Sequence, residues 1–146
     1  MIAYVDSSLL VRAYLPDENS YAEALAILGD PELALITGTW ARIEVSGALV
    51  RAAKAGRGSK ERLLDLLDTD LALEGPVTVV TAPQAAVEEQ ALGLVRAHGI
   101  RAMDAWHLAT AAIVSPALTE PGEDVGFASR DQAQSEVAAA LGFRLL

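Results

Sequence analysis

Short β-branched runs alternate with stretches of helical periodicity along the whole chain, and that alternation leaves few folds open. IAYV at 2–5, Leu33 to Thr37, Val77 to Thr81, Val125 to Ser129 and Phe143 to Leu146 each read as strands. Between them the spacing predicts helices. One follows the N-cap candidates Asp6, Ser7 and Ser8 and ends at Pro16, and a second runs from Asn19 to Leu28. A third is capped by Thr39 and ends in the glycines at 56 and 58; a fourth runs from Ser59 to about Leu73. Pro83 opens a fifth that ends near Gly99, Asp104 opens a sixth, and Asp131 starts the last. The prolines, glycine and charges of SPALTEPGED at 115–124 mark a loop. A chain that returns to strand after helix builds an α/β sandwich around a mainly parallel sheet. At 146 residues it is read as one domain, 1–146.

In such sheets ligands bind beyond the carboxyl ends of the strands. Asp6 and Asp131 each directly follow a strand, which puts both at that edge. Glu44 lies mid-helix in ARIEVSGAL, where the small residues Gly47 and Ala48 one turn on would let that face approach other backbone. Asp104 begins a helix whose next turns carry Ala105, Leu108, Ala109 and Ala112. Each acid has a simpler reading, as a helix cap for the aspartates and as a solvent-facing residue for Glu44. Taken together they form a set. Two carboxylates about 5 Å apart repel by about 3 kcal/mol at an effective dielectric of ~20. A fold that gathers several therefore favours uptake of a cation or a proton. All-oxygen donors suit Mg²⁺ or Mn²⁺, and a bound ion of this kind activates water and neutralises phosphate charge.

The formal charge of −9 opposes binding of a polyanion, but its distribution is uneven. Arg51, Lys54, Arg57, Lys60 and Arg62 bring five of the eleven basic residues into twelve positions. Arg101 and Arg130 neighbour two of the acids. Arg51, Lys54, Arg57, Arg101 and Arg130 are the candidate nucleic-acid contacts. His107 invites a role as general base, but a packing histidine is the simpler reading of its apolar helix, and core or dimer packing is the simpler reading of Trp40 and Trp106. With no cysteine there is no thiolate site. The opening MIAYVDSS lacks a basic leader, and no apolar run approaches the ~20 residues of a membrane span. A cytoplasmic protein without membrane association is expected.

The ordered segments YVDSSLLVRAYLPDE, ARIEVSGALVRA, DAWHLATA and FASRD followed by ALGF resemble the PIN-domain ribonucleases. More narrowly, they resemble the VapC-type toxins of toxin–antitoxin systems. The similarity spans essentially the whole chain; the loop at 115–124 is its least family-like part. The resemblance implies a PIN-like α/β/α sandwich in which Asp6, Glu44, Asp104 and Asp131 bind Mg²⁺ or Mn²⁺ and serve hydrolysis of RNA, often tRNA or rRNA. Ser129 and Ser7 would bind water or a carboxylate beside them. It also implies a homodimer and a cognate antitoxin that blocks the cleft. Two other functions compete. A Mg²⁺-binding receiver domain needs a lysine after a late strand, and the only lysines are Lys54 and Lys60. A PIN-like module that binds without cutting would keep the same acids.

Overall fold

The computed structural model describes all residues from Met1 to Leu146. Five parallel strands form one sheet in the order β3-β2-β1-β4-β5. They are β1 (Ile2–Val5), β2 (Ala34–Gly38), β3 (Val77–Val80), β4 (Gly126–Ala128) and β5 (Arg144–Leu145). The helices are α1 (Ser7–Tyr14), α2 (Tyr21–Leu28), α3 (Trp40–Lys54), α4 (Lys60–Asp70), α5 (Gln84–His98), α6 (Ala102–Val114) and α7 (Gln132–Ala140).

β1 is the axis of the molecule. Its residues alternate between two cores, as a strand buried on both faces must. Ala3 and Val5 pack with Leu9, Leu10, Val45, Leu49, Leu63 and Leu67 on one side. Tyr4 packs with Ile36, Leu108, Phe127 and Val137 on the other. The chain first builds outward from β1 to β2 and β3, then returns to place β4 and β5 on β1's other flank. The order reverses between β1 and β4, and that switch point opens a crevice at the carboxyl edge. Asp6 extends the pairing there, its N–H donating to the Ala128 carbonyl at 2.9 Å.

Several boundaries differ from the sequence reading. α2 begins at Tyr21 because Ser20 adopts φ 65°, a left-handed conformation that a helix cannot contain. Thr39 is already helical and its side chain caps nothing. α3 stops at Lys54, two residues before Gly56 takes φ 77°. α4 stops at Asp70; Gly75 folds back so tightly that a Cβ there would lie 2.3 Å from the Asp70 carbonyl oxygen. Ala102, not Asp104, opens α6. The 115–124 loop begins with a 3-10 turn at Ser115–Ala117. No helix is long and apolar enough to cross a membrane.

Candidate functional site at the carboxyl edge of the sheet

Asp6 is 4% exposed and its carboxylate is held from several directions. Oδ2 accepts from the Ser8 N–H at 3.0 Å, the cap of α1, and lies 3.5 Å from Ser129 Oγ. Oδ1 accepts from Gln134 Nε2 at 3.2 Å. Asp131 leaves β4 and caps α7, accepting the Gln134 N–H at 2.8 Å. The cap reading was therefore correct for both residues, and it delivers both to the crevice.

Glu44 projects from α3 and is not solvent-facing in the ordinary sense. Its Oε1 accepts from Ser7 Oγ at 2.8 Å and faces His107 Nε2 at 2.5 Å. Burial works against its charge, but the hydrogen bond and attraction of His107 and the hydroxyl of Ser7 outweigh it and hold the carboxyl below its usual value. The expected role of Gly47 is corrected. Its open side is covered by the chain's own Arg51, whose Nη1 would lie 3.1 Å from an added Cβ, and no other backbone approaches as closely.

Asp104 sits in the first turn of α6, where the helix dipole favours an acid. Burial nevertheless raises its carboxyl, and the charges of Asp6, Asp131 and Glu44 raise it further against the pull of Arg101, to about 6. Asp104 therefore senses all three other acids. Residues separated by up to 125 positions share one electrostatic cleft.

Sequence reasoning passed over Gln134 and read His107 as packing alone. Gln134 is fully buried and joins the site's parts. Its Nε2 donates to Asp6 Oδ1 and to the Asp104 carbonyl, both at 3.2 Å, and its Oε1 accepts from Ser129 Oγ at 2.6 Å. The signal was available as Asp131-x-x-Gln134, a capping-box spacing. Ser129 Oγ takes the Asp131 N–H at 3.0 Å, which frees the glutamine to reach inward. His107 is buried, as a packing histidine would be, yet it contacts Glu44, Ser7 at 3.2 Å and Tyr4 at 2.8 Å, with Asp6 at 3.7 Å. It belongs to the site.

The basic residues are dispersed. Arg101 precedes α6, and Arg130 lies beside β4, its Nη1 donating to the carbonyls of Ser129 and Leu146. Arg51 and Lys54 are exposed on the last turn of α3. Arg57 is engaged elsewhere, with Asp17 at 2.7 Å and Glu18 at 2.7 Å. Lys54 and Lys60 lie at helix ends flanking the α3–α4 turn, and neither follows a strand. Trp40 and Trp106 pack edge to face at 6.3 Å beside the cleft, and Trp40 remains half-exposed.

The donors suit a hard divalent cation in kind: every carboxylate offers oxygen, and Asp104, raised first by burial and then by the charges of Asp6, Asp131 and Glu44, stands where a cation would offset charge. No three acidic or imidazole side chains already close on a common point. Glu44 is turned to Ser7 and His107, and Asp6 is held by Gln134 and the α1 cap. The set is gathered rather than clenched.

Comparison with known proteins follows the same line. The family model for the PIN domain matches residues 3–139. A search of curated proteins finds no significant match. Among solved structures, VapBC2 from Rickettsia felis bound to a promoter DNA fragment superposes with a TM-score of 0.63 at 12% identity, over 100% of this chain and 98% of that one. FitAcB from Neisseria gonorrhoeae gives 0.56 at 22% identity over 100% and 96%. A toxin–antitoxin complex from Klebsiella pneumoniae gives 0.53 at 19% identity over 88% and 86%. At these identities the likeness is one of fold.

Proposed function

The chain belongs to the PIN domain family, and from that premise we propose that it is a metal-dependent endoribonuclease acting as the toxin of a toxin–antitoxin pair. The observation that carries the reading is the buried Gln134, whose side chain joins Asp6 to the backbone of Asp104 and whose N–H is capped by Asp131. Asp6, Asp104 and Asp131 would hold Mg²⁺ or Mn²⁺, with Glu44 beside them. When bound, the ion supplies an activated water and neutralises charge developing on the phosphate.

The chain's own residues prepare that chemistry. Gln134 and the α1 cap fix the Asp6 carboxylate, so it need not reorganise when a cation arrives. Ser7 and His107 keep Glu44 ionised and aimed. Ser129 ties Gln134, Asp131 and Ser8 into one unit. Arg101 and Arg130 flank the acids and would meet a phosphodiester backbone, and Arg51 and Lys54 extend that cationic path along α3. The substrate would be RNA, tRNA or rRNA by family habit. The partners would be an antitoxin, as in the toxin–antitoxin complexes that share the fold, and a second copy of the chain. The protein would act in the cytoplasm.

Purified protein incubated with total RNA tests this. Discrete products with Mg²⁺ or Mn²⁺ that vanish with EDTA and in Asp104→Asn are expected. Cation binding without cleavage would instead favour a PIN-like binding module.

A further inference from the structure

A second concavity opens on the same edge of the sheet. The acids gather where β1 meets β4; this one lies beyond the carboxyl ends of β2 and β3, where parallel sheets also take ligands. It encloses about 330 Å³, at the lower end of small-ligand sites, which suits one flat ring system. Trp40, Trp106 and Met103 form apolar walls, and Thr39, Gln84 and Glu88 form polar ones. The two indoles tie the cavity to the cleft. Trp40 stands one turn before Glu44 on α3, at the i, i+4 spacing that shares a helix face. The Trp106 ring lies 5.2 Å from that of His107, which faces Glu44. The planes of Trp40 and Trp106 meet at 62°, and an edge-to-face contact covers one face of one ring at most. Trp40 is 48% exposed. An aromatic ring left this open, beside a site that acts on RNA, offers a stacking platform for an unpaired base.

The polar wall carries a carboxylate, which repels phosphate and leaves the donors of a base as its natural partners. Gln84 Nε2 donates to Glu88 Oε1 at 2.8 Å. Only the amide nitrogen can donate to a carboxylate, so the Gln84 carbonyl stays free as an acceptor beside the remaining lone pairs of Glu88. Thr39 caps nothing, which leaves its hydroxyl available as well. Guanine alone carries adjacent donors, N1–H and N2–H₂, on its Watson–Crick edge. Adenine and cytosine offer an amino group beside a ring-nitrogen acceptor, and uracil an imino group between carbonyls.

We propose that this cavity is a base-specificity subsite: it receives an unstacked guanine of the RNA, stacked on Trp40 and read by Glu88 and Gln84, beside the bond to be cut. Arg101, exposed at the head of α6, supplies the local positive charge that the acidic wall lacks.

The subsite rests on the proposed ribonuclease function, yet its test needs neither metal nor cleavage. Fluorescein-labelled uridine pentamers with guanine, adenine or hypoxanthine at the centre are titrated against the wild-type protein in EDTA, and binding is followed by anisotropy. The guanine pentamer should bind about tenfold more tightly than the adenine one, with hypoxanthine, which keeps N1–H and lacks the amino group, in between. Glu88→Ala should cut the guanine preference to about twofold or less. Glu89→Ala removes the same charge from an exposed neighbour outside the cavity and should keep the preference. Trp40→Ala should weaken the guanine pentamer about tenfold, and Trp40→Phe should restore most of that loss. Equal affinities for the three pentamers, or binding of none, would overturn the subsite. Sedimentation in which Trp40→Ala splits a dimer while the base preference stays intact would also overturn it, by assigning the indole to a contact between copies. A metal-dependent nuclease whose cuts show no guanine at a fixed position would refute the subsite alone. A protein that selects guanine and cuts no RNA would refute the nuclease alone.

Discussion

Gln134 has no solvent contact and commits both ends of its amide to the cleft. Gln134→Leu keeps the volume but removes the nearest acceptor of Ser129 Oγ and a donor from Asp6. Urea denaturation should show a loss of about 1–3 kcal/mol. The capping-box spacing marks Gln134 but not this role, because a capping-box glutamine ordinarily turns back to its own helix end. Here a serine two residues before the cap takes that bond. The acids were legible because carboxylates announce themselves by type and by position after strands. Asp104 carries a second expectation. Its folded value of about 6 lies above that of an unfolded aspartate, near 3.9. The stabilising contribution of its protonated form is therefore complete below about pH 4 and lost as pH rises through about 6. At pH 7.5 the metal-free wild type carries that cost and Asp104→Asn does not. After discounting for partial exposure, the variant should be more stable by on the order of 1–2 kcal/mol, a gap that closes toward pH 4. Melting curves across that range check it, and Mg²⁺ at pH 7.5 should narrow the gap.

At the level of elements, strand and helix identities followed from periodicity, because β1 and α6 are buried so thoroughly that their residue types leave little choice. The ends did not. Ser20 in a left-handed conformation and Gly75 against the Asp70 carbonyl are set by what the chain must turn around, which no local pattern encodes. The junction of β2 with α6 shows how tightly elements meet. A Cβ on Gly38 would lie 2.6 Å from Trp106 Cζ3 and 2.8 Å from Tyr4 Oη. Gly38→Ala should destabilise by about 1–3 kcal/mol in chemical denaturation, as overpacking does, and should shift Trp106 fluorescence.

The whole molecule carries a net charge of −9, so any affinity for RNA must be local and aided by cations. Arg51 and Lys54 are exposed, while Arg57 is paired with Asp17 and Glu18. Arg51→Gln with Lys54→Gln should flatten the dependence of log affinity on log salt by on the order of 1 to 2. Arg57→Gln should leave it nearly unchanged. Binding measured on the non-cleaving Asp104→Asn protein separates these outcomes. The topology has one more consequence. β1 pairs directly with β4, so its second flank is filled only by residues 126–128, and the four acids lie far apart along the chain. Every nascent fragment shorter than that holds an incomplete set of carboxylates beside an open strand edge. On the proposed function, a fragment that ends before β4 should not cleave RNA, since it lacks Asp131 and the strand that pairs beside Asp6.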